Sequence, residues 1–451
     1  MQDSDTQLTP IEVITSPFVR FARMEAASGI MLLVATLVAL VWANSPWQYS
    51  YHEIFERPLS IGFGTLTITE DWHHWINDGL MSLFFFLVGL EIKREVLVGE
   101  LSSLGRAALP FVGALGGMVA PALVYLAIAT SAGLSRGWAI PISTDIAFTL
   151  GTLAFLGRRV PISLKVFVTA LAIVDDIFAV IVIAVFYTSG LNYLGLILGL
   201  VCIFVALLAN HLGIRNPAVY AFIGFFAWFC VLSSGVHATI AGVLMAFTIP
   251  ARTFLDKSKF LDQSQALLDK LHHADANSFE EHSILHTLEQ KIGMVESPLH
   301  RIEHSLQPWI GFLVMPLFAL ANAGVSVTNF GGEAIKHPVS FGVVAGLAIG
   351  KPLGIWVFSF LAVKSRLAPA LPQVSWRQVL GAASLCGIGF TMSIFVAGLA
   401  FDSGSVLEIA KIAILAASLL SAILGCLILS TGARPVEEMQ GSQSSVNQRP
   451  A

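Results

Sequence analysis

The stretch LAIVDDIFAVIVIA, residues 171–184, lies inside an apolar run that extends from residue 162 to residue 188. A run of this length can cross the ~30 Å hydrocarbon layer of a bilayer as a helix. Apolar runs of similar length recur along the chain, and this repetition predicts an all-α polytopic membrane protein. We place about twelve transmembrane helices near residues 25–44, 75–98, 107–131, 137–156, 162–188, 193–211, 216–232, 234–250, 306–329, 338–363, 378–400 and 404–431.

The composition excludes the soluble classes of protein. Of the 451 residues, 55% are apolar and only 12% are Asp, Glu, Lys or Arg, against roughly 25% charged residues in an ordinary soluble chain. The net charge of −4 gives no sign of a nucleic-acid partner. The four cysteines all lie in apolar runs without the spacing of disulfides or zinc ligands, and we interpret them as core residues: Cys202, Cys230, Cys386 and Cys426.

The basic residues predict the orientation of the spans. If the N-terminus lies in the cytoplasm, most of the 25 Lys and Arg residues fall on the cytoplasmic side, as the positive-inside rule requires. Both termini are then cytoplasmic. The predicted organisation is a cytoplasmic segment 1–24, spans one to eight within 25–250, a cytoplasmic insertion 251–304, spans nine to twelve within 305–431, and a disordered cytoplasmic tail 432–451.

Two of the connecting segments have patterns of their own. The outward loop 45–74 contains Leu59–Ile68, in which apolar residues alternate with small or polar ones, and this alternation predicts a short β-hairpin. The exposed edge of the hairpin could pair with the same hairpin of a second subunit, or the hairpin could be a simple loop cover. The insertion 251–304 contains two amphipathic helical patterns, the second preceded by a capping box from Ser278 to Glu281. It also holds half of the twelve histidines, which either sense pH or are ordinary residues of a solvated insertion.

Four charged residues inside the spans carry the functional information: Asp145, Asp175, Asp176 and Lys351. Each costs about 2.5–3.5 kcal/mol at the middle of a transmembrane helix. One lysine cannot neutralise three acids, so at least one carboxylate remains for a proton or a cation. We expect Lys351 to pair with one of the two adjacent aspartates.

Two spans contain helix-breaking sequences. In AIPISTDIAFTLG (residues 139–151), Pro141 interrupts the fourth span, and Ser143, Thr144 and Asp145 are typical N-cap residues for a second half-helix. In the eleventh span, Gly387 and Gly389 favour a second break. These spans are the middle members of the triplets 3–5 and 10–12. The pattern therefore predicts two inverted repeats of three helices, with the broken helices crossing near mid-membrane at a transport site.

Several stretches closely resemble NhaA-type Na⁺/H⁺ antiporters of bacteria. They are FLVGLEIKRE, IPISTDIAFTLG, ALAIVDDIFAV, SGVHATIAGVL, MPLFALANAGV, IGKPLG and CGIGFTMSIF, and the resemblance covers roughly residues 20–250 and 300–430. Such antiporters are themselves among the transporters from which the rule of paired interrupted helices was drawn, so the two inferences are not independent. The resemblance implies a multi-pass protein of the bacterial inner membrane, and a homodimer.

The resemblance also implies roles for individual residues. Asp176 matches the principal cation ligand, Asp175 the acid that pairs with the lysine, and Lys351 that lysine, so that Asp176 and Asp175 would hold the transported Na⁺. Thr144 and Asp145 match residues at the crossing of the broken helices, and together with Asp175, Asp176 and Lys351 they make up the expected cation- and proton-binding site. The residues implied to act in the pH response or in function are Glu91, Arg94, Glu95, Glu303, His304, His237 and Asp78. Gln307 and the long insertion 251–304 depart from the family pattern.

The predicted function is secondary active transport and not enzyme catalysis. Cytoplasmic Na⁺ or Li⁺ would be exchanged for external H⁺, electrogenically and under pH regulation, for sodium and pH homeostasis; no cofactor is expected. A sodium-coupled symporter of an organic solute is the alternative, although no second polar cluster for such a solute is evident. An intramembrane aspartyl protease is disfavoured, because Gly387-Ile-Gly389 is followed by Phe390 and not by an aspartate.

Overall fold

The structure is a computed structural model, and it describes residues 27–63, 66–130, 133–188, 190–251, 257–273, 278–295, 297–326, 332, 335–401 and 404–432. The predicted N-terminal segment 1–24 and nearly all of the tail 432–451 lie outside these residues. The helices described in detail are α1 (Ala27–Ala43), α2 (Gln48–Phe55), α3 (Trp72–Leu97), α4 (Leu104–Ala129), α5 (Ile146–Leu156), α6 (Ile162–Phe186), α7 (Tyr193–His211), α8 (Pro217–Leu232), α9 (Ala238–Thr248), α10 (Lys257–His273), α11 (Phe279–Val295), α12 (Pro298–Asn322), α13 (Pro338–Lys364), α14 (Trp376–Cys386), α15 (Phe390–Ala400) and α16 (Ser405–Gly432).

Shorter helical elements interrupt or connect these helices. Turns of π-helix lie inside three of the long helices, in α3 (Trp75–Leu80), α12 (Ile310–Val314) and α13 (Gly346–Gly350). Single-turn insertions of this kind occur frequently at functional sites. Segments of 3₁₀-helix lie at Glu100–Ser102, Ser135–Ile142 and Gly157–Arg159.

The helices confirm an all-α polytopic membrane protein, and each of the twelve predicted windows contains at least one helix. In the part of the chain that the structure describes, eight helices are long and apolar enough to cross a membrane, or up to ten if each of two bent pairs counts as one span. The helices α8 and α9 are shorter, with 16 and 11 residues. The count of twelve spans therefore remains a prediction.

The β-hairpin predicted in the outward loop is present. Strands β1 (Pro58–Phe63) and β2 (Leu66–Asp71) pair antiparallel, with Pro58 opposite Asp71 and Phe63 opposite Leu66. Asp71 then caps α3, since its side chain accepts a hydrogen bond from the backbone N–H of His74 at 2.7 Å. Pairing of the hairpin with a second subunit stays a prediction.

The chain divides into two compact units, and the first contains the two predicted triplets. This unit comprises residues 1–80, 100–187 and 311–451. Within it α4 packs along both α6 and α13, while α16 packs against α14 and α13. The backbones of α4 and α13 approach closely: a Cβ atom on Gly116 would lie 2.3 Å from the carbonyl oxygen of Gly354. The glycines therefore allow a helix contact that any side chain would prevent.

The second unit comprises residues 81–99 and 188–310. The C-terminal part of α3 packs with α9, and α8 packs with α7, around a core of Leu90, Ile203, Tyr220, Met245 and Ile249. Both helices predicted for the insertion are present as α10 and α11, which pack on each other.

Hydrogen bonds flank the two helices of the insertion. The backbone N–H of Leu299 donates to the carbonyl oxygen of Pro250 at 3.1 Å, so the chain before α10 and the chain after α11 lie next to each other. Ser278 accepts a hydrogen bond from the N–H of Glu281 at 3.1 Å, which confirms the N-cap half of the predicted capping box.

Candidate functional site

The break in the fourth span is where the sequence predicted it. A 3₁₀-helix runs over Ser135–Ile142 and contains the buried Pro141, after which Ser143–Asp145 are extended and α5 begins at Ile146. Asp145 is the N-cap of α5, because its Oδ1 accepts a hydrogen bond from the N–H of Phe148 at 3.1 Å. The predicted half-helix is confirmed.

The second break lies between α14 and α15, whose axes differ by 48°. Gly387 and Gly389 lie in the three-residue gap between Cys386 and Phe390. Gly387 is surrounded closely: a Cβ atom there would lie 2.4 Å from the carbonyl oxygen of Leu347 and 2.7 Å from Oγ of Ser421. The backbone conformation does not require glycine here, because any residue can adopt the φ of −72°. Glycine is required because there is no room for a Cβ atom.

Replacing Gly387 by alanine is expected to destabilise the protein by about 1–3 kcal/mol, because the added methyl group overpacks the break. Gly398→Ala is the matched control in the exposed part of α15, where no described atom lies within 4 Å of the added Cβ. That variant should be neutral or more stable by up to about 1 kcal/mol. Thermal unfolding of the purified variants measures both, and equal stabilities would contradict the crowding at Gly387.

The two breaks cross, and a carboxylate lies between the half-helices that start there. The N–H of Asp145 donates to the carbonyl oxygen of Ile388 at 2.7 Å. Oδ2 of Asp145 accepts from the N–H of Thr391 at 3.2 Å and also from its hydroxyl group. A helix N-terminus carries partial positive charge, so Asp145, 1% exposed, compensates the N-termini of α5 and α15 together.

The first halves of the two broken spans end at the crossing, and a donor group lies at the C-terminus of each. Nζ of Lys351, completely buried, donates to the carbonyl oxygen of Ile142, the last residue of the 3₁₀-helix. The hydroxyl of Thr144 lies 3.0 Å from the carbonyl oxygen of Cys386, the last residue of α14. Helix C-termini carry partial negative charge. The crossing therefore places an anion at two N-termini, and a cation and a hydroxyl donor at two C-termini.

Lys351 pairs with Asp175, as one of the two alternatives predicted. Nζ of Lys351 lies 2.8 Å from Oδ2 of Asp175, and the hydroxyl of Thr144 lies 2.8 Å from the same oxygen. Among the residues that the structure describes, no hydrogen-bond donor reaches the other oxygen, Oδ1 of Asp175. Asp176 follows on α6 and is 1% exposed. Two adjacent buried carboxylates therefore lie beside one buried ammonium group.

The sequence did not single out every group of this site. Thr391, which donates twice to Asp145, stands directly after the predicted break in CGIGFTMSIF, so its position was a usable signal. The carbonyl oxygens of Ile142, Cys386 and Ile388 had no such signal, because backbone atoms do not depend on residue type.

Four of the residues implied in the pH response lie together in the second unit. Arg94, at the end of α3, lies 3.3 Å from Oε1 of Glu303 and 3.2 Å from Oε1 of Glu95. Glu91, one turn earlier, interacts electrostatically with all three. The exposed His304 follows Glu303 on α12. The structure thus forms a cytoplasmic-side charge cluster, on the predicted orientation, from Glu91, Arg94, Glu95 and Glu303.

The other two candidates lie elsewhere. His237 is the N-cap residue of α9, whereas Ala246 at the far end of that helix contacts Gly89. These two positions on α9 are roughly 13 Å apart along the helix axis, so His237 is not part of the charge cluster. Asp78 belongs to the first unit, in the π-turn of α3.

Comparison with known proteins identifies the family of the chain. The profile of the family Na⁺/H⁺ antiporter 1 matches residues 19–429. The chain belongs to this family. A protein of Koribacter versatilis named Na(+)/H(+) antiporter NhaA is 58% identical over 93% of this chain and 92% of its own length. Relatives of the same name occur in Oleidesulfovibrio alaskensis (45% identical over 93% of this chain and 95% of the relative) and, as NhaA 2, in Sorangium cellulosum (47% over 95% and 92%).

Membership of the Na⁺/H⁺ antiporter 1 family confirms the resemblance seen in the sequence. It also agrees with a multi-pass membrane protein that is a transporter and not an enzyme. The matched residues 19–429 include both broken spans and all four buried charged residues of the site.

Proposed function

We propose that this chain exchanges Na⁺ for H⁺ across the membrane, and that the two ions compete for the carboxylates of Asp175 and Asp176. The observation that carries this proposal is the pair of adjacent buried acids, Asp175 and Asp176, with Lys351 2.8 Å from Asp175, beside two crossing broken helices. Burial disfavours the charged form of a carboxylate, so a proton or a bound cation stabilises it.

The chemistry of the site suits Na⁺ or Li⁺. Hard cations prefer oxygen ligands, and Asp176 is the principal ligand in this proposal, with Asp175 as the second. The Thr144 hydroxyl and backbone carbonyls at the breaks are further oxygen donors nearby. Asp145 accepts hydrogen bonds at two helix N-termini, so its charge stabilises the crossing beside the cation ligands. No cofactor takes part.

The exchange cycle needs one site that opens to each side in turn. One three-helix repeat would move against the other, as in transporters built from inverted repeats. Asp176 releases its proton when Na⁺ binds, and Asp175 exchanges Lys351 for a proton during the cycle. In an alternative version of the cycle, Lys351 and not Asp175 binds and releases the second proton. Either version moves more than one proton for each Na⁺, which makes the exchange electrogenic.

The remaining features of this proposal concern regulation and placement. The charge cluster of Glu91, Arg94, Glu95 and Glu303 adjusts activity to cytoplasmic pH, with His304, His237 and Asp78 as further candidates. The protein lies in a bacterial inner membrane with both termini in the cytoplasm, as a homodimer paired through the β-hairpin. Its role is sodium and pH homeostasis.

The proposed exchange is tested in everted membrane vesicles that hold an acidic-inside pH gradient. Addition of Na⁺ should collapse the gradient. The Na⁺ concentration that gives half-maximal collapse should decrease as the pH is raised from 6.5 to 8.5, because fewer protons compete for the site. Vesicles without the protein are the control. A folded and inserted protein that gives no response at any pH would overturn the proposal. A response that requires an added organic solute would instead establish the symporter, which no comparison supports.

A further inference from the structure

Among the described residues, the first unit contains a second buried lysine in a span, Lys411 in the second turn of α16. The residue is 7% exposed, and its Nζ lies 3.2 Å from Oε1 of Glu408. A buried ammonium group inside a membrane segment is costly, and the cation site does not use this one. Lys411 interacts electrostatically with His73, at the start of α3. The outer loop ends at this point in the predicted topology.

His73 starts a chain of side-chain hydrogen bonds. Nδ2 of Asn77 lies 3.1 Å from Nδ1 of His73. Nδ2 of Asn322 donates to Oδ1 of Asn77 at 2.9 Å and to the carbonyl oxygen of Phe318 at 3.0 Å. Asn322 is the last residue of α12, with 4% exposed. The chain therefore connects the imidazole ring of α3 to the end of α12.

The direction of these hydrogen bonds determines the protonation state of the imidazole ring of His73. An amide nitrogen only donates, so the ring nitrogen facing Asn77 must accept and cannot carry a hydrogen. His73 is therefore neutral here. If Nδ1 of His73 carried a proton, it would face Nδ2 of Asn77, which is also a donor. The side-chain amide of Asn77 would then have to rotate by about 180° to present its oxygen to His73. Its amide nitrogen would then face that of Asn322, so the hydrogen bonds at the end of α12 would change as well.

The charged groups around His73 come from three elements. Lys411 on α16 disfavours a positive ring, while Glu408 offsets part of the charge of Lys411. Asp71 at the end of β2 favours a positive ring, and His74, next along α3, binds that carboxylate at 2.7 Å. Burial alone would raise the pKa of Asp71, but the hydrogen bonds from His74 hold this pKa below its usual value. Asn322 on α12 is uncharged, and its hydrogen bond with His73 favours a positive ring.

We propose that His73, Asn77, Asn322, Glu408 and Lys411 form a proton-binding site on the predicted outer side, separate from the cation site. We call these five residues the outer cluster. A proton bound at Nδ1 of His73 reverses the hydrogen bonds of Asn77 and Asn322. The end of α12 packs on α15, with ring centroids of Phe318 and Phe395 6.3 Å apart. Since α15 starts at the crossing, the outer cluster reports external pH to the helix that begins beside Asp145. This link to transport rests on the proposed function.

The first test is the variant His73→Gln, whose amide oxygen can accept from Asn77 but does not titrate. Its matched control is His52→Gln, which changes an exposed histidine of α2 in the same outer loop, away from the outer cluster. Right-side-out vesicles with a fixed internal pH are loaded with ²²Na⁺, and efflux is measured at external pH 6 to 9. The wild type and His52→Gln should share one external-pH profile. His73→Gln should depart from it by about fivefold or more at the acid end, a usual size of coupling between sites. A profile of His73→Gln that superimposes on that of His52→Gln overturns the proposal.

A second readout is independent of transport. Because the folded protein holds His73 neutral, acidification should lower its stability. Between pH 8 and pH 6, the midpoint of thermal unfolding should fall by about 1 °C more in the wild type and His52→Gln than in His73→Gln. If the wild type shows no exchange, the proposed function fails, yet this comparison still decides the site, since equal losses in all three overturn it. If His73→Gln does not fold, Lys411→Met replaces it. Removal of the positive charge of Lys411 favours proton binding by His73, so the external-pH profile of ²²Na⁺ efflux must move to higher pH in this variant. A profile that does not move overturns the site.

Discussion

Replacing Lys351 by methionine should cost about 3–5 kcal/mol of stability, the usual effect of removing one partner of a buried ion pair. Asp175 would then lose the ammonium group 2.8 Å from its Oδ2, and the carbonyl oxygen of Ile142 would lose its donor. The loss should be larger at pH 8 than at pH 5, because a proton can neutralise the carboxyl group of Asp175 at low pH. Unfolding of the purified protein at the two pH values measures both effects.

Two further variants separate the ion pair from other effects of the substitution. Lys364→Met changes an exposed lysine of the same helix and should leave stability within about 0.5 kcal/mol. The double variant Asp175→Asn/Lys351→Met removes both charges and should recover most of the loss, since neutral replacement of a whole buried pair is often tolerated. A double variant that is less stable than Lys351→Met alone would contradict the pairing of these two residues.

The residues of the site could be predicted from the sequence because each breaks a strong rule. Asp145, Asp175 and Lys351 are charges in apolar spans, and Pro141 precedes a run of N-cap residues. The residues themselves did not decide which aspartate pairs with Lys351; adjacent helical positions point about 100° apart, so either could have faced it. Only the resemblance assigned Asp175. The choice depends on the rotation of α6 against α13, which is a tertiary property.

Other features could not be predicted, for identifiable physical reasons. The crossing depends on the backbone carbonyl of Ile388, and every residue has a carbonyl. The outer cluster was missed because its members lie far apart in sequence. Lys411 lies near the start of the predicted span 404–431, and nothing in the residue pattern connects it with His73. The helices α8 and α9 have only 16 and 11 residues, so the count of twelve spans remains a prediction, since helix length depends on where caps and turns fall.

The substitution Asp176→Asn should abolish Na⁺-driven exchange and weaken Na⁺ binding by at least about a hundredfold, or roughly 2.8 kcal/mol. Asparagine has nearly the same shape as aspartate but carries no charge, so it removes the attraction for the cation while leaving the packing of α6 in place. Thr169→Val on the same helix is the control, since the Thr169 hydroxyl donates within α6, to the carbonyl oxygen of Lys165. It should retain both binding and exchange. Exchange that survives in Asp176→Asn would place the cation at other ligands.

The central claim is that Na⁺ and H⁺ compete for one set of buried carboxylates, and proton release on Na⁺ binding tests it most directly. Na⁺ is added to the purified protein in weakly buffered detergent solution, and the released protons are measured together with the Na⁺ affinity from pH 6.5 to 8.5. The account predicts at least one proton released per Na⁺ and an affinity that rises by up to about tenfold per pH unit for each competing proton. It also predicts no release from Asp176→Asn. Na⁺ binding without proton release, at an affinity independent of pH, would contradict it.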